Sequence, residues 1–222
     1  MKPGVLKIFI FSDEDFSILN FNRLMIKLPI DRRNYVNKFK NYEDKCNSLI
    51  AYLLTVYGIK KIFNTELSGL SFSYTNFGKP YFTNYPNIHF NISHIKSKVI
   101  CAISDNPVGV DIQDIVEIKK NCYSSVLSTN EIEYLSTHDN SNIEFLRIWA
   151  IKEAYTKYTG LGLNQDFDKL NIVSSESNDI NFNGTNIHVF CNENYYIAVC
   201  SKGCSNNCKI EKVNLKDLLS LV

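Results

Sequence analysis

Apolar positions along this 222-residue chain recur with two different periods, and the switches between them mark out the elements. Residues 5–11 form a nearly unbroken apolar run, interrupted by Lys7, and predict a first strand. Residues 16–28 carry a helical pattern that Pro29 breaks. A second helical stretch over 43–57 puts Cys46, Leu49, Ile50, Leu53 and Leu54 on one face, and Gly58 reads as its stop. Turn signals follow at Gly78-Lys79-Pro80 and Tyr85-Pro86-Asn87. Short apolar runs predict strands over 88–93, 99–104 and 108–112, the last two joined by the turn Asp105-Asn106-Pro107. Farther on, Thr129 or Asn130 reads as the N-cap of a helix that carries Ile132 and Leu135. Residues 143–158 predict a longer helix closed by Gly160. Strand-like runs lie at 170–173, 187–190 and 195–200, and the tail KVNLKDLLSLV reads as a short strand or helix. Strands come in groups and do not alternate strictly with helices, which argues for an α+β protein or an open α/β layer. There is no internal repeat and no Gly/Ser-rich linker, so any join between two halves falls within continuous structure near residues 107–114.

Composition narrows this picture without changing it. A hydrophobic content of 45% suffices for one large domain or two small halves. The net charge of +1 gives no general attraction to nucleic acid or to an anionic membrane, so neither is expected as a partner and any positive field must be local. The longest apolar stretch, residues 49–57, is far too short to span a bilayer. The N-terminal apolar run leads into Ser-Asp-Glu-Asp and not into a small-residue cleavage site, so no secretory signal is expected and the location expected is cytoplasmic. Seven cysteines, an odd number in a chain too long to need staples, point to reduced thiols. Cys200, Cys204 and Cys208 are regularly spaced, but the spacing is looser than a zinc knuckle and lacks a second half, so they read as unrelated free thiols.

Two stretches carry most of the candidate chemistry. In the 143–158 helix, Phe145, Ile148, Trp149 and Lys152 share one side, while Glu153, Thr156 and Lys157 share its neighbour. Glu153 and Lys157 stand four apart, and their ordinary reading is an exposed ion pair of about 0.3–0.5 kcal/mol. The other stretch is Val108-Gly109-Val110-Asp111-Ile112. A carboxylate on so apolar a strand is costly unless it is paired, bound to a metal, or at the strand's exposed end. Gly109 allows another backbone or a ligand to come close. Gln113 shares the face of Asp111, so Asp111-x-Gln113 can offer two oxygens, one of them charged, to a hard cation. His94, Lys79, Arg32 and Arg33 each have an ordinary reading as solvated or structural side chains.

Taken in order, Gly78-Lys79-Pro80, Asn91-Ile92-Ser93-His94, Gly109-Val110-Asp111-Ile112 and Trp149-x-x-Lys152-Glu153-Ala154-x-x-Lys157 resemble the motifs of the 4′-phosphopantetheinyl transferases. The resemblance is to the larger, monomeric, surfactin-synthetase-activating class that serves nonribosomal peptide, polyketide and fatty acid synthesis, and it covers residues 29–163. It implies an α+β fold of two similar α/β halves related by a pseudo-two-fold axis. Residues 1–107 would form the N-terminal half, with the nucleotide contacts, and residues 108–222 the C-terminal half, with the metal site and the carrier-protein side. The active site would lie in the cleft between them. Coenzyme A is the implied substrate and Mg²⁺ the implied metal, with Mn²⁺ as a substitute. The implied acceptor is a serine of an acyl, peptidyl or aryl carrier protein, and the implied leaving product is adenosine 3′,5′-bisphosphate.

Residue by residue, the resemblance makes Asp111, Gln113 and Glu153 the metal seat, with Gln113 standing where many relatives carry a second acid. Lys152 and Lys157 match the lysines that flank the glutamate, Lys157 being the pyrophosphate contact. Ser93 and His94 match a pair that contacts the phosphates of coenzyme A, and Lys79 with Pro80 matches the turn at the nucleotide. Arg32 matches a basic residue at the 3′-phosphate and Ser48 a hydroxyl near the nucleotide. Tyr35 occupies the place of a second basic residue, for which Lys38 or Lys40 could substitute. Either Glu153, or Glu131 acting through a metal-bound water, would take the serine proton. Two other readings use the same residues: a Mg²⁺-dependent phosphohydrolase, and a relative that binds coenzyme A or a carrier protein without catalysis.

Overall fold

The first strand, β1 (Leu6–Ser12), shows how the layers arise. Its residues alternate, so Ile8 and Ile10 face one way and Phe9 and Phe11 the other. Strand β5 (Lys98–Ser104) pairs with it in antiparallel register, and β4 (His89–Ile95) continues the sheet. A second sheet has the same plan: β6 (Val108–Asp114) pairs with β9 (Tyr195–Ser201), and β9 with β8 (Thr185–Cys191). The coordinates are a computed structural model that describes residues 4–12, 16–64, 72–162, 166–202 and 208–221.

The orders β1-β5-β4 and β6-β9-β8 are the same arrangement written twice. Each half is first strand, then last, then penultimate, with one long helix between the first and the penultimate. That helix is α3 (Tyr42–Phe63) in the first half and α5 (Ser141–Thr159) in the second. The fold is therefore α+β with two pseudo-equivalent halves. Ile8, Ile10 and Ile100 meet Val108, Val110 and Val199 in a shared core between the sheets. Leu49, Leu53 and Leu54 of α3 cover the outer face of one sheet, and Phe145, Ile148 and Ile151 of α5 cover that of the other.

Additions at the margins break the symmetry. Strand β10 (Ile210–Val213) runs parallel to β1 and joins the first sheet, and α6 (Leu215–Leu219) follows it, so the tail is both strand and helix. Strand β7 (Asp179–Phe182) extends the second sheet. Strands β2 (Phe72–Tyr74) and β3 (Pro80–Phe82) form a separate ribbon. The predicted 16–28 helix is α1 (Ile18–Met25), and Pro29 caps a further helix, α2 (Ile30–Asn37). Residues 170–173, expected as a strand, carry no regular secondary structure and join none of the described sheets. No helix of the described residues is long and apolar enough to cross a membrane.

Three expectations need correction. Helix α3 runs through Gly58 and ends at Asn64 in the left-handed conformation. Gly58 is instead the point of contact with the sheet, since a Cβ there would stand 2.4 Å from Ile103 and 2.7 Å from Phe9. The cap of α4 (Thr129–Ser136) is Ser128, whose side chain accepts from the Glu131 N–H while Glu131 accepts from the Ser128 N–H. Finally, Cys208 is disulfide-bonded and Cys204 lies outside the described residues, whereas Cys46, Cys101, Cys191 and Cys200 are free thiols. Cys200 is sealed inside β9, so the three late cysteines do not act as a set.

Gly109 owes its identity to the second half's packing. A Cβ there would lie 2.0 Å from the Ala154 carbonyl and 2.4 Å from the Tyr158 nitrogen, both backbone atoms of α5. The close approach that the sequence offered to a backbone or a ligand goes to the helix. We expect Gly109→Ala to cost about 2–3 kcal/mol by forcing α5 off β6, read as a lowered denaturation midpoint with an unchanged slope.

Candidate active site

The two sheets meet at β4 and β6, and the candidate residues gather along that seam. On β4 the side chains alternate, with Phe90 and Ile92 turned toward α3 and Asn91 and Ser93 toward β6. The Asn91 side-chain oxygen accepts from the Val110 N–H at 2.8 Å and so holds the outer edge of β6. Two residues along, Ser93 Oγ donates to Asp111 Oδ1 at 2.8 Å. Lys157 reaches in from α5, with its Nζ 2.6 Å from Asp111 Oδ1 and 3.0 Å from Ser93 Oγ. Asp111 is buried yet paired, which resolves the cost of a carboxylate on an apolar strand.

Lys157 thus pairs across the seam with Asp111, in place of the Glu153–Lys157 helical pair that spacing alone offered. Glu153 is half-buried and makes no hydrogen bond or ion pair among the described residues. Burial pushes its carboxyl above the ordinary value, Lys157 opposes the shift, and the Asp111 charge adds to it. Two acids close enough to repel each other, one of them without a partner, are a suitable seat for a hard cation. Gln113 lies on the same strand face as Asp111, half-buried, and its amide nitrogen donates to the Asp114 carbonyl at 3.4 Å. Among the described residues no group of three or more His, Cys, Asp and Glu side chains could hold a metal. A hard cation here would have the Asp111 and Glu153 carboxylates as its charged ligands, with Gln113 on the same strand face as Asp111.

His94 points the other way, toward α3. Its Nδ1 faces the Asn47 side-chain nitrogen at 3.3 Å, which leaves Nε2–H as the ring's donor. Desolvation lowers the His94 value, Lys157 lowers it further, and Asp44, Glu43 and Asp111 oppose this. The ring is thus neutral near pH 7. Asn47 was missed in the sequence, although it interrupts the apolar face that contains Ile50 and Leu54 and is itself buried.

Arg32 and Ser48 lie together: Arg32 Nη2 donates to the Ser48 carbonyl at 2.6 Å and to its Oγ at 3.0 Å. What the sequence did not reveal is the aromatic cage around the guanidinium. It stacks over Tyr35 at 4.6 Å, Tyr52 at 5.1 Å and Phe72 at 5.8 Å. Burial draws its value down, partly offset by Tyr74, Tyr35 and Tyr52. Arg32 Nε is buried without a partner. Lys38 and Lys40 are exposed and line neither hollow of the cleft.

The cleft consists of two adjoining hollows that share Pro80 and Ile92 in their walls. One, of about 190 Å³, holds Arg32, Ser48, Asn47 and His94 among aromatic rings. The other, of about 230 Å³, is bounded by Phe77, Asn91, Thr156 and Lys157. Thr156 Oγ1, also missed in the sequence, is buried there without a hydrogen-bond partner.

The structure withdraws three expected contacts. Lys152 and Glu131 are both fully buried and pair at 2.5 Å, so neither reaches a substrate from this position. Lys152 also donates to the Val126 and Phe167 carbonyls, each at 2.7 Å. Glu131 accepts from the Ile172 and Val173 N–H groups at 3.0 and 3.2 Å as well as from its own cap. The Lys79 side chain is likewise occupied, donating to three backbone carbonyls.

Comparison with known proteins agrees with this geometry. Residues 107–200 match the model of the 4′-phosphopantetheinyl transferase superfamily, and residues 17–106 match that of a 4′-phosphopantetheinyl transferase N-terminal region. The 4′-phosphopantetheinyl transferase ffp of Bacillus subtilis is 30% identical over 206 residues, covering 88% of this chain and 92% of the relative. A second 4′-phosphopantetheinyl transferase of Bacillus subtilis is 26% identical over 209 residues, and the transferase Sfp of Bacillus subtilis strain 168 is 27% identical over 206. Each covers 88% of this chain and 92% of the relative.

Proposed function

The chain belongs to the 4′-phosphopantetheinyl transferases, in the larger Sfp-type class, and from that premise we propose how its cleft carries out the transfer. The donor is coenzyme A. The acceptor is the serine hydroxyl of an apo carrier protein, which attacks the β-phosphate. The pyrophosphate bond breaks, adenosine 3′,5′-bisphosphate leaves, and the phosphopantetheine arm remains on the serine. The observation that carries this reading is the Ser93–Asp111–Lys157 network across the seam, with the unpartnered Glu153 carboxylate beside it.

Asp111, Glu153 and the Gln113 oxygen would hold Mg²⁺, which supplies charge neutralisation at the pyrophosphate when bound. The chain's own groups do the rest. Lys157 and the His94 Nε2–H donate to phosphate oxygens from two sides, and Ser93 holds Asp111 in place for the cation. Glu153 also accepts the serine proton. Arg32, held by Ser48 and by the aromatic rings around it, receives the nucleotide end. We place the division between the halves at residues 107 and 108, supported by the two family models abutting at 106 and 107.

The test is the mass of an apo carrier protein incubated with the chain, coenzyme A and Mg²⁺. A gain of about 340 Da on the carrier, the phosphopantetheine arm, is expected. Breakdown of coenzyme A with an unmodified carrier would instead mark a hydrolase, and binding without turnover a non-catalytic relative.

A further inference from the structure

Lys79 lies in the turn between β2 and β3, a ribbon whose strands, among the described residues, pair only with each other. Two strands alone are marginally stable, so the ribbon must be docked to something. Phe72 and Phe82 pack against Phe90 of β4 at ring separations of 5.4 and 4.5 Å and anchor one end. At the other end, the turn is closed by the Thr75 N–H on the Lys79 carbonyl and the Gly78 N–H on the Thr75 carbonyl, both at 2.9 Å. From there the Lys79 stem passes Gly160 and its ammonium meets the end of α5.

An ammonium has three N–H donors. Here three carbonyls take them: Lys157 at 2.6 Å, Val108 at 3.1 Å and Tyr158 at 3.2 Å. The Lys157 and Tyr158 carbonyls belong to the last turn of α5, where carbonyls lack intrahelical partners and the helix dipole is negative. The Val108 carbonyl opens β6, three residues before Asp111. One side chain of the first half thereby joins the ribbon, the end of the helix that carries Glu153 and Lys157, and the strand that carries Asp111. Burial brings the Lys79 value down to about 8, still above neutrality, so at pH 7 all three protons are in place.

We propose that Lys79 is a positioning residue that fastens the ribbon wall of the cleft to the C-terminus of α5, and that it does not contact the donor. The ribbon's Tyr74 and Pro80, with Phe77 of the turn, line the two hollows, so their distance from Lys157 is set by this clamp. The clamp itself rests on the fold alone. Only its effect on transfer rests on the function proposed above.

Amide hydrogen exchange on the free, full-length chain tests it. In Lys79→Met, which keeps the stem and removes the donors, the amides of residues 72–82 are expected to exchange at least about tenfold faster, with those of Leu53 and Leu54 unchanged. Transfer assays should show a raised KM for coenzyme A with kcat held within about twofold. Lys79→Arg, which restores charge and donors, should recover most of the protection. Unchanged ribbon exchange in Lys79→Met would overturn the proposal, and unchanged exchange with at least about tenfold weaker coenzyme A binding would assign Lys79 to the donor directly. The native protein offers an independent reading that no failure to fold can spoil. Its Lys79 ammonium should give a slowly exchanging NMR signal, and a rapidly exchanging one would also overturn the clamp.

Discussion

Asp111→Ala and Glu153→Ala are each expected to lower transfer of the phosphopantetheine arm by at least about a thousandfold, the scale on which preorganised charge acts in a closed site. The two should differ in what else they disturb. Asp111 accepts from both Ser93 and Lys157, so its loss frees the lysine and dissolves the network across the seam. Glu153 accepts from nothing among the described residues, and its raised value shows that folding already disfavours its charge. Glu153→Ala should therefore leave thermal stability unchanged or slightly higher, while Asp111→Ala should lower it modestly. Asp111→Asn keeps the shape of the Ser93 contact and loses the charge. Its activity should be as low as that of alanine, which would place the effect in the carboxylate's charge and not in packing. Initial rates followed by carrier mass, alongside thermal unfolding of the same preparations, decide the matter. More than a tenth of native activity in Glu153→Ala would remove it from both the cation seat and the role of base.

Much of this arrangement was legible because the chemistry sits on regular elements. The alternation Val108-Gly109-Val110-Asp111-Ile112 already separated an apolar face from one bearing glycine, aspartate and Gln113, and the structure turns those faces to the shared core and to α5. The helical period had likewise put Lys152 on the side of Phe145 and Ile148. A lysine on an apolar stripe is a signal of burial, and Lys152 is fully buried. What stayed hidden were partnerships between distant segments. Spacing can propose Glu153 with Lys157, but only the seam between β4 and β6 brings Asp111 to the lysine. The tyrosine and phenylalanine rings around Arg32 come from α2, α3 and β2, so no local pattern joins them. Glu131 drew its proton-transfer role from the resemblance alone, and with the cap placed at Thr129 or Asn130 the Ser128–Glu131 capping box that buries it was not legible.

That buried acid leads to the largest stability effect expected in the molecule. Glu131→Ala removes the counter-charge of Lys152 and also leaves the Ser128, Ile172 and Val173 N–H groups without their acceptor. A cost of about 4–5 kcal/mol is expected, since breaking a buried pair from one side leaves an uncompensated charge. Lys152→Met should cost less, about 3 kcal/mol, because Glu131 keeps its three backbone donors while only the Val126 and Phe167 carbonyls lose a partner. Burial already holds Lys152 below its ordinary value despite Glu131, so removing the acid should drive the lysine toward its neutral form. In the double variant Glu131→Ala/Lys152→Met neither charge is stranded, although the Ser128, Ile172 and Val173 N–H groups still lack their acceptor. Its loss should be smaller than the sum of the two single losses by at least about 1 kcal/mol, the coupling expected of directly bonded groups. Denaturant titrations of the four proteins give the cycle. A single loss below about 1 kcal/mol, or additive losses, would show that the pair contributes no specific coupling. The same variants separate structure from chemistry at Glu153, which adjoins Lys152 in the chain. If Lys152 acts only by seating α5, Lys152→Met should lose activity in step with its unfolded fraction and regain it on cooling, which loss of a direct substrate contact would not allow.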